Sequence, residues 1–438
     1  MLVIPAVAAL IADNYTGRDR ITAFAVIGAV SGAAVAAGPL IGGFVTTYFS
    51  WRYVFVAEVV IMAGVVLFAR LVTDSTPPQK QRIDLLSVLL SALGLVFVVF
   101  GMLQSKTWGW IVPLKSPEIG GVEIAPFGIS MTAWLMLIGA ALIYIFVRRQ
   151  RLLVATGRAP LVHVEMFSIT QLRSGLSVLG AQYAITAGLF FMVPVYLQMT
   201  LGLDALQTGF KIFPLSISLI LFSIVGTRLS SIWSPRRIVQ WGQIVLVVSA
   251  VVLLASVDIE LKNLTFGIGM FCAGAALGLL ASQLGNVNMS AVSGKETSEV
   301  GGLQGVFQNL GSSLGTALIG SILIGALATS FASGVASSTL PEAVRVQVAQ
   351  LTEGGVTIVP ASSVEGIAEK AGLSAQDGEA LATIYAESQI SSLQAAFFVL
   401  IAIAALSLIF SRGIPAVVAA HPQRETTPRK RTPRETTS

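Results

Sequence analysis

Gly28-Ala-Val-Ser-Gly-Ala-Ala-Val-Ala-Ala-Gly-Pro-Leu-Ile-Gly-Gly43 lies inside a long apolar stretch and is followed closely by Ser50-Trp51-Arg52. Wound as a helix, Gly28, Ser31, Gly32, Gly38, Pro39, Gly42 and Gly43 fall within an arc of roughly 140°. That face carries almost no side chains, so another helix backbone can come close to it. Inside a bilayer, where burying apolar surface does not drive helices together, small-residue faces of this kind are how helices pack. Pro39 removes the hydrogen bond to the Val35 carbonyl and is expected to bend the helix there.

The composition around this stretch sets the class. Of 438 residues, 54% are hydrophobic and 11% are charged, against about 25% charged in a soluble domain. The hydrophobic residues fall into runs of about 20, long enough to span a membrane. The chain therefore reads as an all-α polytopic membrane protein, with about ten full spans and one partial N-terminal span. The full spans are expected at 21–49, 52–71, 84–103, 128–147, 174–199, 206–228, 238–257, 263–289, 301–327 and 392–411. The apolar start Met1 to Ala12 is too short to cross. The single cysteine, Cys272, excludes an intramolecular disulfide. The two histidines, His163 and His421, are read as solvated. No metal-ligand spacing, Ser/His/Asp set or dinucleotide fingerprint occurs, and Gly294-Lys-Glu-Thr lacks the strand and spaced glycines of a phosphate loop. The expectation is a protein that is not an enzyme and carries neither cofactor nor metal, with the bilayer as its main partner and no nucleic acid.

Charge gives the orientation. If the loops are numbered alternately from 13–20, one side holds 20 of the 27 Lys and Arg and the other holds six, with Lys211 left near a helix end. By the positive-inside rule the richer side is cytoplasmic, which places the C-terminus inside a plasma membrane. The segment 328–391 then lies outside, with seven acids against two bases. Pro341 to Leu351 and Ser362 to Ala371 show helical periodicity in it, so it reads as a small folded cap. The tail 412–438, with Arg424-Glu-Thr-Thr and Arg434-Glu-Thr-Thr flanking Arg429-Lys-Arg, reads as a disordered basic segment near anionic headgroups.

Three strings together resemble the fourteen-helix drug:proton antiporter family of the major facilitator superfamily. Gly38-Pro-x-x-Gly42-Gly43 before Trp51-Arg52 is similar to the antiporter motif of the fifth helix in such exporters. The second string is Val193-Pro-Val-Tyr-Leu-Gln198-Met-Thr-Leu-Gly202, continuing through Leu206-Gln-Thr-Gly209 to Pro214. The third is Val300-Gly-Gly-Leu-Gln-Gly-Val-Phe-Gln-Asn309-Leu-Gly-Ser-Ser-Leu-Gly315. Gly226 to Arg237 looks like a degraded cytoplasmic loop motif of the superfamily that lacks the central aspartate. The resemblance implies a major-facilitator-type helical bundle, acting as a monomer that exchanges protons for lipophilic or cationic small molecules, with the proton gradient as its energy source. It divides the chain into 1–72 (family helices 4 to 6), a linking pair within 84–147, a C-terminal six-helix bundle at 174–411 and the tail. It also implies that helices 1 to 3 are absent from this chain, and with them the acid expected in helix 1. The alternative readings are an exporter of a metabolite, peptide or lipid with the same fold, and a non-transporting membrane fragment or partner-binding protein.

Proton coupling needs a carboxylate in a partly dry place. Glu58 is the acid well inside a span, where it could serve as that site, pair with Arg52 or reach the headgroups. Asp84, Asp204, Asp258 and Glu299 sit at helix ends, where acids cap or are solvated. The expected lining for an amphipathic substrate is Gln182 and Tyr183 in one helix with Gln304 and Gln308 on one face of another. Adaptable amides beside aromatic surface suit such a ligand, and the alternative role of these amides is interhelical hydrogen bonding, worth about 0.6 kcal/mol each.

Overall fold

Five of the helices begin on a side chain that caps their first turn. Asp84 accepts from the Ser87 N–H, Ser130 from Thr132, Ser234 from Arg237 and Ser374 from Asp377, while Asp204 and Gln207 form a reciprocal capping box. Each satisfies a backbone N–H that has no partner within its own helix. The computed structural model describes residues 34, 37, 38, 40–68, 84–114, 116–119, 122–292, 297–352 and 358–416. In chain order the elements are a helix α1 over 40–48, α2 (Trp51–Phe68), α3 (Leu85–Trp108), α4 (Met131–Ala155), α5 (Thr170–Val195), α6 (Ala205–Leu229), α7 (Pro235–Ser256), α8 (Asn263–Met289), α9 (Thr297–Ser337), α10 (Glu342–Thr352), α11 (Val364–Lys370) and α12 (Ala375–Phe410). A two-residue antiparallel ladder, Glu118–Ile119 with Val122–Glu123, decorates the α3–α4 loop. Among the described residues nine helices are long and apolar enough to cross a membrane. Of the tenth expected span, 21–49, the structure describes residues 34, 37, 38 and 40–49.

α5 to α9 and α12 form the core bundle. α8 packs on α6 and α7, α9 on α5 and α12, and α12 also on α5 and α7. Leu172, Met192, Leu253, Ala276 and Leu400 are wholly withdrawn from the surface between them. Glycines set the closest approaches. A Cβ at Gly311 or Gly315 of α9 would overlap the carbonyl oxygens of Gly180 and Ala184 on α5. Gly274 and Gly278 of α8 face the Leu215 and Leu219 carbonyls on α6 in the same way. Both pairs are spaced by four, so one helix face loses two side chains and backbone meets backbone.

α5 contains Pro194 and relaxes into a π turn at Tyr196–Thr200 before ending. Gly202 then takes φ +69°, and Leu203 N–H closes the turn on the Leu197 carbonyl at 2.9 Å. The buried Tyr196 hydroxyl donates to the Asp258 carbonyl at 2.7 Å and so ties this turn to the α7–α8 loop.

α3 and α4 form an antiparallel pair joined at Gly94 and Gly139, and α3 docks on α9, where the Ser105 and Ser321 hydroxyls lie 3.3 Å apart. α2 buries none of its residues.

The segment 328–391 differs from its expected bounds. α9 runs on to Ser337 and α12 starts at Ala375, so the cap is built on extensions of two spanning helices. The Ala/Ser-rich sequence after Leu327 contains no proline before Pro341, and Gly334 is covered by Ile384 of α12 rather than breaking the helix. A second core, separate from that of the bundle, joins Phe331, Leu340, Val344, Val348, Leu381 and Tyr385. α10 and α11 match the two periodic stretches, and Gly354-Gly355 lies outside the described residues.

Candidate functional site

Gly43 of α1 is buried against the start of α6. A Cβ there would lie 2.6 Å from the Ala205 carbonyl oxygen and 3.0 Å from the Leu206 Cα, so only glycine fits. One turn on, the Leu206 N–H donates to the Thr47 hydroxyl at 3.2 Å, satisfying one of the free donors at the start of α6. The other described glycines of this face make no such contact. A Cβ at Gly38 or Gly42 would meet nothing within 4 Å among the described residues. Gly28, Gly32 and Pro39 lie outside the described residues.

The candidate amides lie on α5 and α9. Gln182 is 8% exposed, and its Oε1 has no hydrogen-bond partner among the described residues. It stands seven residues from Gly175, whose open Cα receives the Asn288 side chain of α8, so both face α8. Tyr183 is half-buried against the bundle core. Gln304 and Gln308 are half-buried and share a face with Gly311 and Gly315, which meet α5. Gln304 Nε2 reaches the Gly285 carbonyl of α8 at 3.5 Å. The structure thus sets these amides on two packed helices, α5 and α9, each of which also touches α8.

Asn288 is fully buried and neither its Oδ1 nor its Nδ2 has a partner among the described residues. Gln283, on the same helix, is spent on the Gly226 carbonyl at 3.0 Å. Asn286 and Asn309 point outward. Gln171, which gave no signal beyond being polar near a helix start, bridges α5 to α8 through the Val287 carbonyl at 2.7 Å and the Ser290 hydroxyl at 3.0 Å.

The acids separate cleanly. Glu58 is exposed on an open face of α2 beside Phe55, Val59 and Met62. Arg52 lies over the Trp51 ring, 4.7 Å from its centroid, and among the described residues no ion pair joins it to Glu58. Asp204 caps α6. Asp258 pairs with Lys262 at 3.1 Å, and that hydrogen bond pulls its carboxyl below the usual range. Asp84 accepts both Nε and Nη2 of Arg149, at 2.6 and 2.7 Å, and the Ser87 hydroxyl. The Arg149 guanidinium first and then Ser87 hold its carboxyl well below the ordinary value. His163 is not simply solvated. Its N–H and its ring Nδ1 both meet the Glu299 carboxylate, each at 2.9 Å.

Among the described residues no group of three or more His, Cys, Asp or Glu could hold a metal. What the arrangement offers is apolar surface, a few amides with spare hydrogen-bonding capacity, and close helix contacts.

Comparison with known proteins follows the same line. Residues 2–316 match the family model of the Major Facilitator Superfamily. The chain is 24% identical over 345 residues to a probable actinorhodin transporter of Streptomyces coelicolor, covering 76% of this chain and 56% of that protein. It is 26% identical over 276 residues to lincomycin resistance protein LmrB of Listeria monocytogenes, covering 62% and 54%. With puromycin resistance protein pur8 of Streptomyces alboniger the identity is 27% over 330 residues, covering 74% and 61%. The chain thus spans a little over half the length of the first two of these curated relatives.

Proposed function

The chain belongs to the major facilitator superfamily, a family of membrane transporters rather than enzymes, and from that premise we propose that it acts in proton-coupled efflux of lipophilic or cationic small molecules. The observation that carries this reading is the character of the polar groups at membrane depth. Gln182, Gln304 and Gln308 are uncharged, adaptable, and set among apolar residues of helices that touch one another. A site built this way binds by area and a few hydrogen bonds, and so tolerates varied cargo. The names of the relatives, which speak of resistance to or transport of chemically different antibiotics, support the same direction.

The protein is a multi-pass membrane protein. In the proposed mechanism it acts as a monomer without a cofactor, driven by the proton gradient, with its C-terminus in the cytoplasm beside the cation-rich loops. Glu58 is the acid we assign to proton exchange, because it is a carboxylate in the body of the apolar span α2. Helices of such transporters rock as two groups about a central site, and the Gly43–Leu206 contact is where α1 would slide or part from α6.

The test is ethidium efflux from cells stripped of their own exporters, with this chain expressed and a protonophore added or withheld. Protonophore-sensitive efflux above vector level is expected. Efflux equal to vector level for ethidium and for a panel of lipophilic cations would overturn the reading.

A further inference from the structure

We propose that the space between the linking pair and α9 is a second binding site, for an amphiphile with a cationic head on an apolar body. The cavity has a volume of about 710 Å³ and is walled by α3 and α4 on one side, α9 on the other and the 159–167 loop at one end. That size falls within the roughly 300–1,000 Å³ of small-molecule sites. Leu95, Phe146, Val306, Phe307 and Leu310 make most of its wall apolar, and among the described residues its charged groups are Asp84 and Glu299. α9 serves both sites from different faces: Gln304 and Gln308 follow the Gly311 face toward α5, while Leu303, Val306 and Leu310 face the linking pair.

Charge decides the occupant. Asp84 and Glu299 form part of this wall, whereas their partners Arg149 and His163 do not. The acids keep 23% and 21% of their side-chain surface exposed, so neither is fully consumed by its partner. Arg158 and His163 instead line an adjoining, open pocket of about 420 Å³ that shares only Glu299 and the Ala159-Pro160 corner with the first. An apolar slot lined by two acidic residues favours a cation with a greasy body over an anion of the same shape. The end wall is held firmly: Gln150, fully buried, donates to the Ser87 hydroxyl at 2.8 Å and accepts the Leu161 N–H at 2.7 Å. Glu299 adds the second tie through His163. The cavity is therefore built into the joint between the linking pair and the bundle.

The experiment compares binding of tetraphenylphosphonium and tetraphenylborate, ions of one shape and opposite charge, to the full chain in lipid nanodiscs, measured by calorimetry against empty discs. Tetraphenylphosphonium is expected to bind. Its affinity should fall by about tenfold in Glu299→Gln, as when a buried ionic partner is neutralised, and be lost in Val306→Trp, which fills the slot. Melting temperature in the same discs verifies that each variant is folded. The amide oxygen introduced by Glu299→Gln can still accept the His163 N–H, so that variant keeps the tie. The same measurement in discs of phosphatidylethanolamine and of phosphatidylglycerol names the source: competition in the former assigns an amine-headed lipid, its absence a soluble cation, and either result supports the cation-headed occupant. Equal or tighter binding of tetraphenylborate, or unchanged phosphonium affinity in both folded variants, overturns the proposal. The readout is binding, so it stands or falls independently of whether the chain transports.

Discussion

The Leu206 N–H at the start of α6 donates to the Thr47 hydroxyl of α1 at 3.2 Å, one turn from where Gly43 rests on the Ala205 carbonyl. Two residues thus join a helix before the linking pair to one in the C-terminal bundle, and only one of them has any side chain to offer. A glycine whose missing Cβ is replaced by backbone tolerates nothing larger. With Cys272 replaced by Ser, the pair Thr47→Cys and Leu206→Cys should form a disulfide readily. Adding Gly43→Leu should cut the crosslink yield by about tenfold, the scale of overpacking a tight contact. Adding Gly42→Ala, where a Cβ meets nothing among the described residues, should leave it unchanged. Equal yields in both variants would show that Gly43 does not set this approach.

A second prediction concerns α9. Gly315→Ala would drive a Cβ into the Ala184 carbonyl of α5, whereas Gly325→Ala on the same helix meets nothing among the described residues. Alanine is the better helix former by about 1 kcal/mol, and overpacking costs about 1–3 kcal/mol. Gly325→Ala should therefore leave the melting temperature in detergent unchanged or raise it, and Gly315→Ala should lower it. The two substitutions have the same local chemistry, so opposite signs isolate the interhelical contact.

These glycines show what the sequence could and could not disclose. Apolar runs were enough for the spans from α3 to α9, because the length a membrane demands acts on composition alone. The Gly28–Gly43 face reads in sequence as a packing surface, but its periodicity could not say that Gly43 meets a partner while Gly38 and Gly42 face open space among the described residues. Gly274 and Gly278 were not singled out at all, since a GxxxG spacing amid 42 glycines carries no signal until a facing backbone is known. The same holds for the Asp84–Arg149 and His163–Glu299 pairs, whose members lie 65 and 136 residues apart. The ends of α9 and α12 were misjudged because hydropathy stops at the membrane while the helices continue into the cap.

The Asp84–Arg149 pair yields a pH signature. Its carboxyl is held below the ordinary value, so it stabilises the fold at every pH above the unfolded carboxylate range, and that contribution fades only as pH falls through the lower folded value. The melting-temperature difference between the parent and Asp84→Asn should accordingly be constant from pH 8 to 5, within the range above the unfolded pKa of about 3.9. It should shrink only in strong acid. A difference that halves between pH 7 and 5 would mean that the pair is not formed in solution.

The cap offers a local test. The Tyr385 hydroxyl accepts the Val359 N–H at 3.1 Å, and its ring meets Phe331 edge-on at 5.4 Å. Tyr385→Phe keeps the ring and removes the acceptor, at a cost of about 1 kcal/mol. Hydrogen exchange at Val359 should speed by about fivefold, the equivalent of that energy, with α6 to α8 unaffected because the cap has its own core. Faster exchange throughout the bundle would show that cap and bundle unfold together.

Gln182 brings stability and function into opposition. Its Oε1 is buried without a partner, and a buried polar atom left unpaired costs about 1–3 kcal/mol. Gln182→Leu is nearly isosteric and removes that penalty, so the variant should melt higher than the parent. If the spare oxygen is kept for cargo, the same change should weaken binding of an amphipathic ligand by about tenfold, the loss of one hydrogen bond in a dry site. Gln243→Leu is the control. Its Oε1 is equally unpaired, but its Nε2 is committed to Ser407 at 3.0 Å between α7 and α12, away from the candidate lining. There the substitution forfeits a real interhelical bond, so neither a gain in stability nor a loss of ligand affinity is expected. A Gln182→Leu variant that melts higher and binds as well as the parent would reduce Gln182 to an uncompensated buried amide with no part in the site.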